Sequence, residues 1–251
     1  MTQRSRVAAI TGGASGIGLA FSKCWIDSGG TVILLDRQLS VLDRAVIELG
    51  DSARGICVDV TNRESVDSAF ESIKKTEGQL DALINCAGIA DPEPSSEITD
   101  ESFSRMLDIH LTGSMRCARA AYPLLLQSDS ASIVNLGSVA ALAGMPQRAS
   151  YTAAKAGIGG LTRTLAAEWA PKGIRVNAVG PGYVRTALTD ALVAEGKLND
   201  KPIKARTPMG RFAEPEEIAD VIYFLAGTSS TYVTGHMLMA DGGMTIDGSW
   251  Y

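Results

Sequence analysis

A serine, a tyrosine and a lysine in the middle of the chain have the types and the spacing of a proton-transfer site. Tyr151 and Lys155 are four residues apart, so on a helix both would lie on one face. Ser138 directly follows the apolar run 133–137, and at the end of a strand it would face that helix. The three residues together predict a site that moves a proton.

Tyr151 needs a nearby positive charge before it can act as a base. A free tyrosine has a pKa near 10, and lowering it by about three units requires roughly 4 kcal/mol. One positive charge about 4 Å away supplies roughly that much at an effective dielectric near 20. Lys155 is therefore expected to lower the pKa of Tyr151. Any helix can carry this pair for structural reasons alone, so its meaning depends on the rest of the chain.

Composition sets limits on the class of protein. The chain has 251 residues and a net charge of −5, which suits one large domain over residues 1–251 with its own core. It has no basic tract, which argues against a nucleic-acid partner, and its apolar runs are far shorter than a membrane span. We expect a cytoplasmic protein.

The four cysteines do not form a metal-binding pattern. Cys24, Cys57, Cys86 and Cys117 are scattered along the chain, without a CxxC or Cys/His cluster. We therefore expect no metal site. Each lies among apolar residues, which is typical of small buried thiols.

Strand and helix patterns alternate along the chain, and the strands are apolar throughout. This pattern predicts an α/β fold, a doubly wound parallel sheet of the Rossmann type with helices on both faces. The predicted strands are 7–10, 31–35, 56–58, 80–87, 132–136, 174–179 and 237–240.

The predicted helices fall between these strands, and one segment has no clear pattern. Capping-box spacing at Thr61 to Glu64 predicts one helix start, and 100–127 is expected to be helical in one or two pieces. Further helices are expected near 17–25, at 42–49, at 151–169 and from Glu214. The segment 187–209 is interpreted as a mobile substrate lid.

The loop between the first strand and the first helix has the composition of a phosphate-binding turn. Its candidate cofactor residues are Gly12, Ser15, Gly16, Ile17 and Gly18. Glycines there let the backbone approach a pyrophosphate, and the helix start favours its negative charge. A strand before, a helix after and an acid about 20 residues further on are the required context.

That acid is Asp36, at the end of the second strand. Its carboxylate can accept hydrogen bonds from the ribose hydroxyls of NAD and would repel the 2′-phosphate of NADP. Arg37 could instead pair with that phosphate, or be a solvated loop charge. We give Asp36 the greater weight, and the expected cofactor is NAD.

Residues after the third and fourth strands are further cofactor candidates. Asp59 and Val60 could meet the adenine, although Asp59 could equally be an acid at a helix start. Asn85, Ala87 and Gly88 would bring backbone to the ribose side, with a purely structural role for Asn85 as the alternative.

The motifs together resemble the short-chain dehydrogenase/reductase family over essentially the whole chain. They are TGGASGIG, NCAG, Gly137-Ser138, YTAAK, PGYVRT and the closing ADGG, in the family's order and rough spacing. The resemblance implies a sheet of seven strands and the oxidation of an alcohol or reduction of a carbonyl. It also implies a homotetramer, in which the terminal Trp250-Tyr251 is expected at a subunit contact.

The resemblance assigns roles to individual residues. It makes Tyr151 the general acid/base, with Lys155 lowering its pKa and holding the nicotinamide ribose. It makes Ser138 the hydrogen-bond partner of the substrate oxygen. From the PGYVRT motif it implies cofactor contacts at Pro181, Gly182, Val184 and Thr186, of which Thr186 resembles the carboxamide contact.

The chain departs from the family pattern at two positions. His110 stands where the family usually has an asparagine that supports a water-linked proton relay. His110 could retain the backbone part of that role, its imidazole could titrate near neutral pH and join the relay, or it could simply pack in a helix. Cys86 replaces the second asparagine of the usual Asn-Asn-Ala-Gly turn, which weakens the assignment of Asn85.

Substrate contacts are predicted next to the proton-transfer residues. The candidates are Ser138, Ala140, Gln147, Tyr151 and Tyr183, with Ala90, Asp91, Val139 and Arg148 as further pocket residues. Gln147 and Arg148 could bind a polyhydroxy or carboxylated substrate, although each could also be an ordinary loop residue.

Three functions are compatible with these residues. The first is an NAD-dependent dehydrogenase for a small secondary alcohol, such as a polyol or sugar-like substrate. The second is a 3-oxoacyl-type reductase for acyl-CoA or acyl-carrier substrates, which Asp36 and the absence of bases in 124–130 disfavour. The third is a non-enzymatic NAD(H)-sensing protein, which would not need Ser138, Tyr151 and Lys155.

Overall fold

The computed structural model describes residues 5–196 and 198–248, and its centre is a sheet of parallel strands. In chain order the strands are β1 Val7–Thr11, β2 Thr31–Asp36, β3 Ala53–Cys57, β4 Ala82–Asn85, β5 Ser132–Leu136, β6 Arg175–Pro181 and β7 Met237–Ala240. The predicted strands are present, with ends that differ by a few residues. The fourth is shorter than predicted, because the chain leaves the sheet after Asn85.

The strand order within the sheet is β3-β2-β1-β4-β5-β6-β7, with every neighbouring pair parallel. The chain first winds outward from β1 to β3 and then crosses back to β4 on the other side of β1. In such sheets, ligands bind beside the carboxyl ends of the strands at the point where the order reverses. The fold thus confirms the prediction of a doubly wound, single-domain α/β protein.

Helices connect the strands and cover the sheet. In chain order they are α1 Gly16–Asp27, α2 Leu39–Leu49, α3 Arg63–Thr76, α4 Asp100–Leu107, α5 Gly113–Leu125, α6 Ala149–Trp169, α7 Ala187–Ala194, α8 Asp200–Arg206 and α9 Pro215–Ala226. Within the described part of the chain, no helix is long and apolar enough to cross a membrane.

Two hydrophobic cores lie on opposite faces of the sheet. On one face, residues of α3, α5 and α6 pack with side chains such as Leu83 and Ile133. On the other, residues of α1, α2 and α9 pack with side chains such as Ile84 and Val134. Successive residues of β4 and β5 thus point to opposite cores, which explains why these strands are apolar throughout.

The region 100–127, predicted to be helical in one or two pieces, is interrupted. A π-helical turn at Asp108–Thr112 separates α4 from α5, and π turns are frequent at functional sites. The predicted capping box at Thr61 is wrong: the N-cap of α3 is Asn62, whose side chain accepts from the N–H of Ser65.

The segment 187–209 contains more regular structure than a loop. It holds α7 and α8, and Thr186 caps α7 by accepting from the N–H of Thr189 at 3.2 Å. The lid function assigned to this segment stays a prediction. Lys197 within it, and the predicted interface residues Trp250 and Tyr251, lie outside the described residues.

Candidate active site

The carboxyl ends of β1 to β6 border a cavity of about 1230 Å³. Typical small-molecule sites occupy about 300–1,000 Å³, so this cavity can hold a cofactor and a substrate together. It brings together most residues singled out in the sequence: Gly12, Ser15, Gly16, Ile17, Gly18, Asp36, Asp59, Val60, Ala87, Gly88, His110, Ser138, Tyr151, Lys155, Pro181, Gly182, Tyr183, Val184 and Thr186.

The loop after β1 provides a glycine-lined cradle at one end of this cavity. Gly12 has φ +64°, and a Cβ atom there would lie 3.0 Å from the Cα atom of Ala87. A Cβ atom at Gly18 would lie 2.4 Å from the carbonyl oxygen of Gly12. Glycine is thus required by the backbone at both positions. The cradle meets the start of α1, where backbone N–H groups favour a phosphate, so the loop fits a dinucleotide pyrophosphate.

Charged side chains after β2 form the adjoining wall. Asp36 is half-buried, and its Oδ1 accepts from the N–H of Gln38 at 3.1 Å. Arg37 is exposed and also lines the cavity. Both residues weighed in the choice between NAD and NADP therefore reach the cofactor end of the cavity.

Asp59 lines the same wall and is bonded to a local partner. Its Oδ1 accepts from the N–H of Thr61 at 2.9 Å and from its hydroxyl at 2.7 Å. These two hydrogen bonds hold the pKa of Asp59 below its usual value. The arrangement supports the alternative in which Asp59 orders the chain before α3, with Val60 beside it on the cavity wall.

Ser138 and Tyr151 come together across the cavity from β5 and α6. Ser138 directly follows β5, and its Oγ accepts from the N–H of Ala140 at 3.1 Å. Tyr151 lies in the first turn of α6, and its hydroxyl shares a hydrogen bond with Ser138. The strand end and the helix therefore face each other, as the sequence spacing predicts.

Lys155 is buried one turn further along α6. It is 2% exposed, and its Nζ donates to the carbonyl oxygen of Leu136 at 2.7 Å. The same Nζ lies 5.5 Å from the centre of the Tyr151 ring. Burial lowers the pKa of Lys155 to about 8. The ammonium is thus anchored to the last residue of β5.

The pKa of Tyr151 differs from the sequence expectation. Burial raises it above the usual value, while the hydrogen bond with Ser138 and the positive charge of Arg148 act in the opposite direction. Lys155, expected to lower this pKa, is not among these influences, and its Nζ donates to the Leu136 carbonyl. The expectation overlooked desolvation, which penalises the charged form of every buried group.

His110 lies in the π turn and packs against Tyr151. The two rings meet edge to face with centroids 5.4 Å apart. The imidazole Nε2 lies 3.1 Å from the nitrogen and 2.9 Å from the oxygen of Ile89, while the buried Nδ1 has no hydrogen-bond partner among the described residues. The His110 carbonyl accepts from the Ser114 hydroxyl at 2.7 Å.

The environment of His110 determines its charge. Burial and the nearby ammonium of Lys155 lower its pKa to about 3. The expectation that the imidazole titrates near neutral pH is therefore wrong, because its charged form would lose hydration without gaining a counter-charge. His110 is a neutral, packed residue at physiological pH.

Four predicted site residues lie outside the cavity lining: Asn85, Asp91, Ala140 and Gln147. Asn85 points between strands, where its Nδ2 donates to Oδ1 of Asn135 at 2.9 Å. Gln147 is exposed and has φ +61°. Ala140 is buried in the short turn after Ser138. The cavity lining thus does not include these predicted contacts, whereas the predicted Arg148 and the unpredicted Met145 do line it.

Other lining residues were missed in the sequence. They are mainly apolar or irregularly placed: Leu35, Val58, Cys86, Ile89, Ser104, Arg105, Leu107, Met145, Leu188, Leu192 and Leu198. Leu188 and Leu192 are four residues apart on α7, a spacing that could have identified one helix face toward the cavity. Apart from Cys86, which belongs to the NCAG motif, the others carry no motif, because tertiary packing alone brings them to the site.

Known proteins with similar sequences support the interpretation of this cavity as an active site. The family model described as enoyl-(acyl carrier protein) reductase matches residues 12–245. The cis-4-hydroxycyclohexanecarboxylate dehydrogenase of Sinomonas cyclohexanicum is 39% identical over 243 residues, covering 96% of both chains. The galactitol 2-dehydrogenase (L-tagatose-forming) of Cereibacter sphaeroides is 40% identical over 242 residues, covering 95% of this chain and 94% of that protein.

A solved structure gives the same result for the fold. The 3-ketoacyl-(acyl-carrier-protein) reductase from Brucella melitensis complexed with NADH superposes with a TM-score of 0.88 at 28% identity, covering 96% of this chain and 98% of that one. Fold, cavity and relatives define an oxidoreductase with a nicotinamide cofactor. The chain belongs to the short-chain dehydrogenase/reductase family.

The low pKa of His110 predicts a specific loss of stability in acid. Its pKa is about 3 in the folded chain against an ordinary value of 6.5, so between these values only the unfolded chain takes up the proton. The stability is complete above about pH 6.5 and falls as pH decreases, by at most about 1.4 kcal/mol per pH unit from this residue.

We expect His110→Asn to reduce this dependence. Urea unfolding at several values from pH 6 to pH 5 should give a shallower loss of unfolding free energy than in the wild type. His236→Asn is the matched control, because His236 is exposed, and its slope should equal that of the wild type. Equal slopes for all three proteins would show that His110 is protonated in the folded chain.

Proposed function

We propose that the protein transfers a hydride between NAD(H) and a small secondary alcohol or ketone. The observation that carries this proposal is the placement of Ser138, Tyr151 and Lys155 in the same cavity as the glycine cradle. A group that exchanges a proton with an alcohol thus faces the space next to a dinucleotide site. This is the arrangement that alcohol oxidation needs, because hydride and proton leave the substrate separately.

In the proposed mechanism, the nicotinamide takes up or supplies the hydride when the cofactor is bound. In the oxidation direction, Tyr151 first gives up its own hydroxyl proton to solvent, and its phenolate then takes the substrate hydroxyl proton while the C–H bond gives up its electron pair with the hydride. In reduction, the Tyr151 hydroxyl returns the proton to the oxygen. Ser138 hydrogen-bonds that oxygen and holds it at the Tyr151 hydroxyl.

Lys155 has a positioning role in this proposal. Its ammonium is tied to Leu136 and lies beneath the Tyr151 ring, where it can also hold the ribose hydroxyls next to the nicotinamide. Thr186, Val184, Pro181 and Gly182 form the opposite wall. We assign these four residues to the carboxamide of the nicotinamide. Thr186 is held in a fixed position because it is the N-cap of α7.

The choice of NAD rests on Asp36. Its carboxylate is held at the end of β2 by Gln38, where it can accept from ribose hydroxyls and would repel a 2′-phosphate. The NADH complex of the Brucella melitensis relative agrees with this choice. Arg37 is the competing residue, since it lines the same wall.

The substrate class rests on the relatives and on the size of the site. The Sinomonas and Cereibacter enzymes act on a ring alcohol and a polyol, which supports a small secondary alcohol. A 3-oxoacyl substrate is the second candidate, supported by the Brucella relative and by the leucines of the 187–209 segment that line the cavity, Leu188, Leu192 and Leu198.

Tyr151→Phe tests the proposed acid/base role. The variant should lower kcat by about 10²- to 10⁴-fold, the usual contribution of general acid–base catalysis, while NADH binding measured by fluorescence stays near the wild-type value. Tyr122→Phe is the matched control, because Tyr122 packs against Trp169 outside the cavity lining. Undiminished turnover in Tyr151→Phe would overturn the role.

Asp36→Ala tests the choice of cofactor. The wild type should prefer NAD over NADP in kcat/KM, and the variant should reduce that preference by on the order of 10-fold, because one charged hydrogen bond contributes about 1.5–3 kcal/mol. Arg37→Ala provides the comparison. A wild type that prefers NADP, with the preference lost in Arg37→Ala, would contradict the assignment.

A substrate panel separates the two candidate activities. Sugars, polyols, cyclic alcohols, aryl alcohols and hydroxyacyl thioesters should be offered with NAD while NADH absorbance is followed. We expect the highest kcat/KM among the polyols and small cyclic alcohols. A clear preference for the thioesters would establish the 3-oxoacyl alternative.

A further inference from the structure

Arg148 is a charged residue of the cavity that the proton-transfer mechanism does not require. It immediately precedes α6, three residues before Tyr151, and lines the cavity with Ser138, Met145 and Tyr183. It is half-buried. Its backbone is fixed, since its N–H donates to Met145 at 3.2 Å and its carbonyl accepts from Thr152 at 2.8 Å.

Arg148 lines the same cavity as Tyr151 and Tyr183. Its positive charge acts on the phenols of both Tyr151 and Tyr183, opposing the rise that burial causes in each pKa. Tyr183 is itself held by stacking on Phe212, with ring centroids 5.5 Å apart. A ligand group at Arg148 would therefore lie close to the hydroxyl being oxidised.

No acidic side chain in the described part of the chain neutralises Arg148. Among residues 5–196 and 198–248, no carboxylate lies within 4.0 Å of its guanidinium, and the first turn of α6 contains no acid. Glu93 belongs to the loop that bonds to Gln147, but its carboxylate accepts from Ser102 at 3.0 Å. Of the other half-buried arginines, Arg54 pairs with Glu77 and Arg116 with Asp108, while Arg6 and Arg175 bond to hydroxyls and backbone carbonyls.

The charges of the cavity are also separated by position. Its carboxylates, Asp36, Asp59 and Asp108, come from the β2, β3 and α4 side. At the substrate end, Arg148 is joined by the positive charge of Arg206, which also acts on Tyr183. The substrate end is therefore positive, while the wall proposed to hold the adenosine ribose carries both signs, since Arg37 lies beside Asp36.

We propose that the alcohol substrate carries a carboxylate, which Arg148 binds while Ser138 and Tyr151 hold the hydroxyl. This inference rests on the proposed function and narrows its substrate class to hydroxy acids and keto acids. A half-buried guanidinium binds most strongly to a planar anion that accepts two parallel hydrogen bonds. A carboxylate has that geometry.

Matched substrate pairs test the inference without any variant. 4-Hydroxycyclohexanecarboxylate is compared with its carboxamide, and 3-hydroxybutyrate with 3-hydroxybutyramide, by NADH formation in the wild type. We expect kcat/KM to be on the order of 10- to 100-fold higher for the acid in at least one pair, as for a charged hydrogen bond. Equal values within both pairs would refute the inference.

Variants then locate the effect. Arg148→Gln should bring the acid-to-amide ratio close to one, and Arg148→Lys should give an intermediate ratio, because an ammonium keeps the charge without the fork geometry. The ratio cancels any common effect through the pKa of Tyr151. Arg44→Gln, exposed on α2 and outside the cavity lining, changes the net charge equally and should keep the wild-type ratio.

The outcomes separate this inference from the proposed function. If the wild type oxidises uncharged secondary alcohols with the same kcat/KM as the matching acids, the proposed function stands and the inference is rejected. A wild-type ratio that persists in Arg148→Gln, with a thermal melting curve like that of the wild type, also rejects it. A wild type that forms no NADH from any alcohol contradicts the proposed function itself.

Discussion

The anchoring of Lys155 is the interaction on which the site depends. A buried ammonium needs a hydrogen-bond acceptor to offset lost hydration, and the Leu136 carbonyl at the end of β5 supplies one at 2.7 Å. This bond fixes α6 against the carboxyl edge of the sheet. Because Tyr151 is one helical turn earlier, the same bond determines how far its hydroxyl stands from Ser138.

Burial then shapes the chemistry of the site. It raises the pKa of Tyr151 and lowers that of Lys155 and His110, so all three are shifted toward their neutral forms. The hydrogen bond with Ser138 and the charge of Arg148 act to lower the pKa of Tyr151. Arg148 is the cation beside the substrate end, so a substrate anion there would also alter the proton affinity of Tyr151.

The sequence predicted the fold and the centre of the site from local patterns. Apolar strands alternating with helices predict the parallel sheet, and the residues just after a strand, such as Gly12 and Ser138, are brought to its carboxyl edge by the topology itself. Gln147 and Asn85 could not be placed this way. Gln147 is exposed at a position of positive φ, and Asn85 is drawn inward by its contact with Asn135, fifty residues away. Neither leaves a periodic signal.

The histidine in place of the usual asparagine is accommodated by its surroundings. A Cβ atom at Gly88 would lie 2.3 Å from Cε1 of His110, so the larger ring fits only because residue 88 is glycine. The same glycine borders the cofactor end of the cavity. The π turn holds the ring against Ile89 and the edge of Tyr151. His110 and Gly88 are therefore one steric unit, and any change at either position alters the space beside the proton-transfer residues.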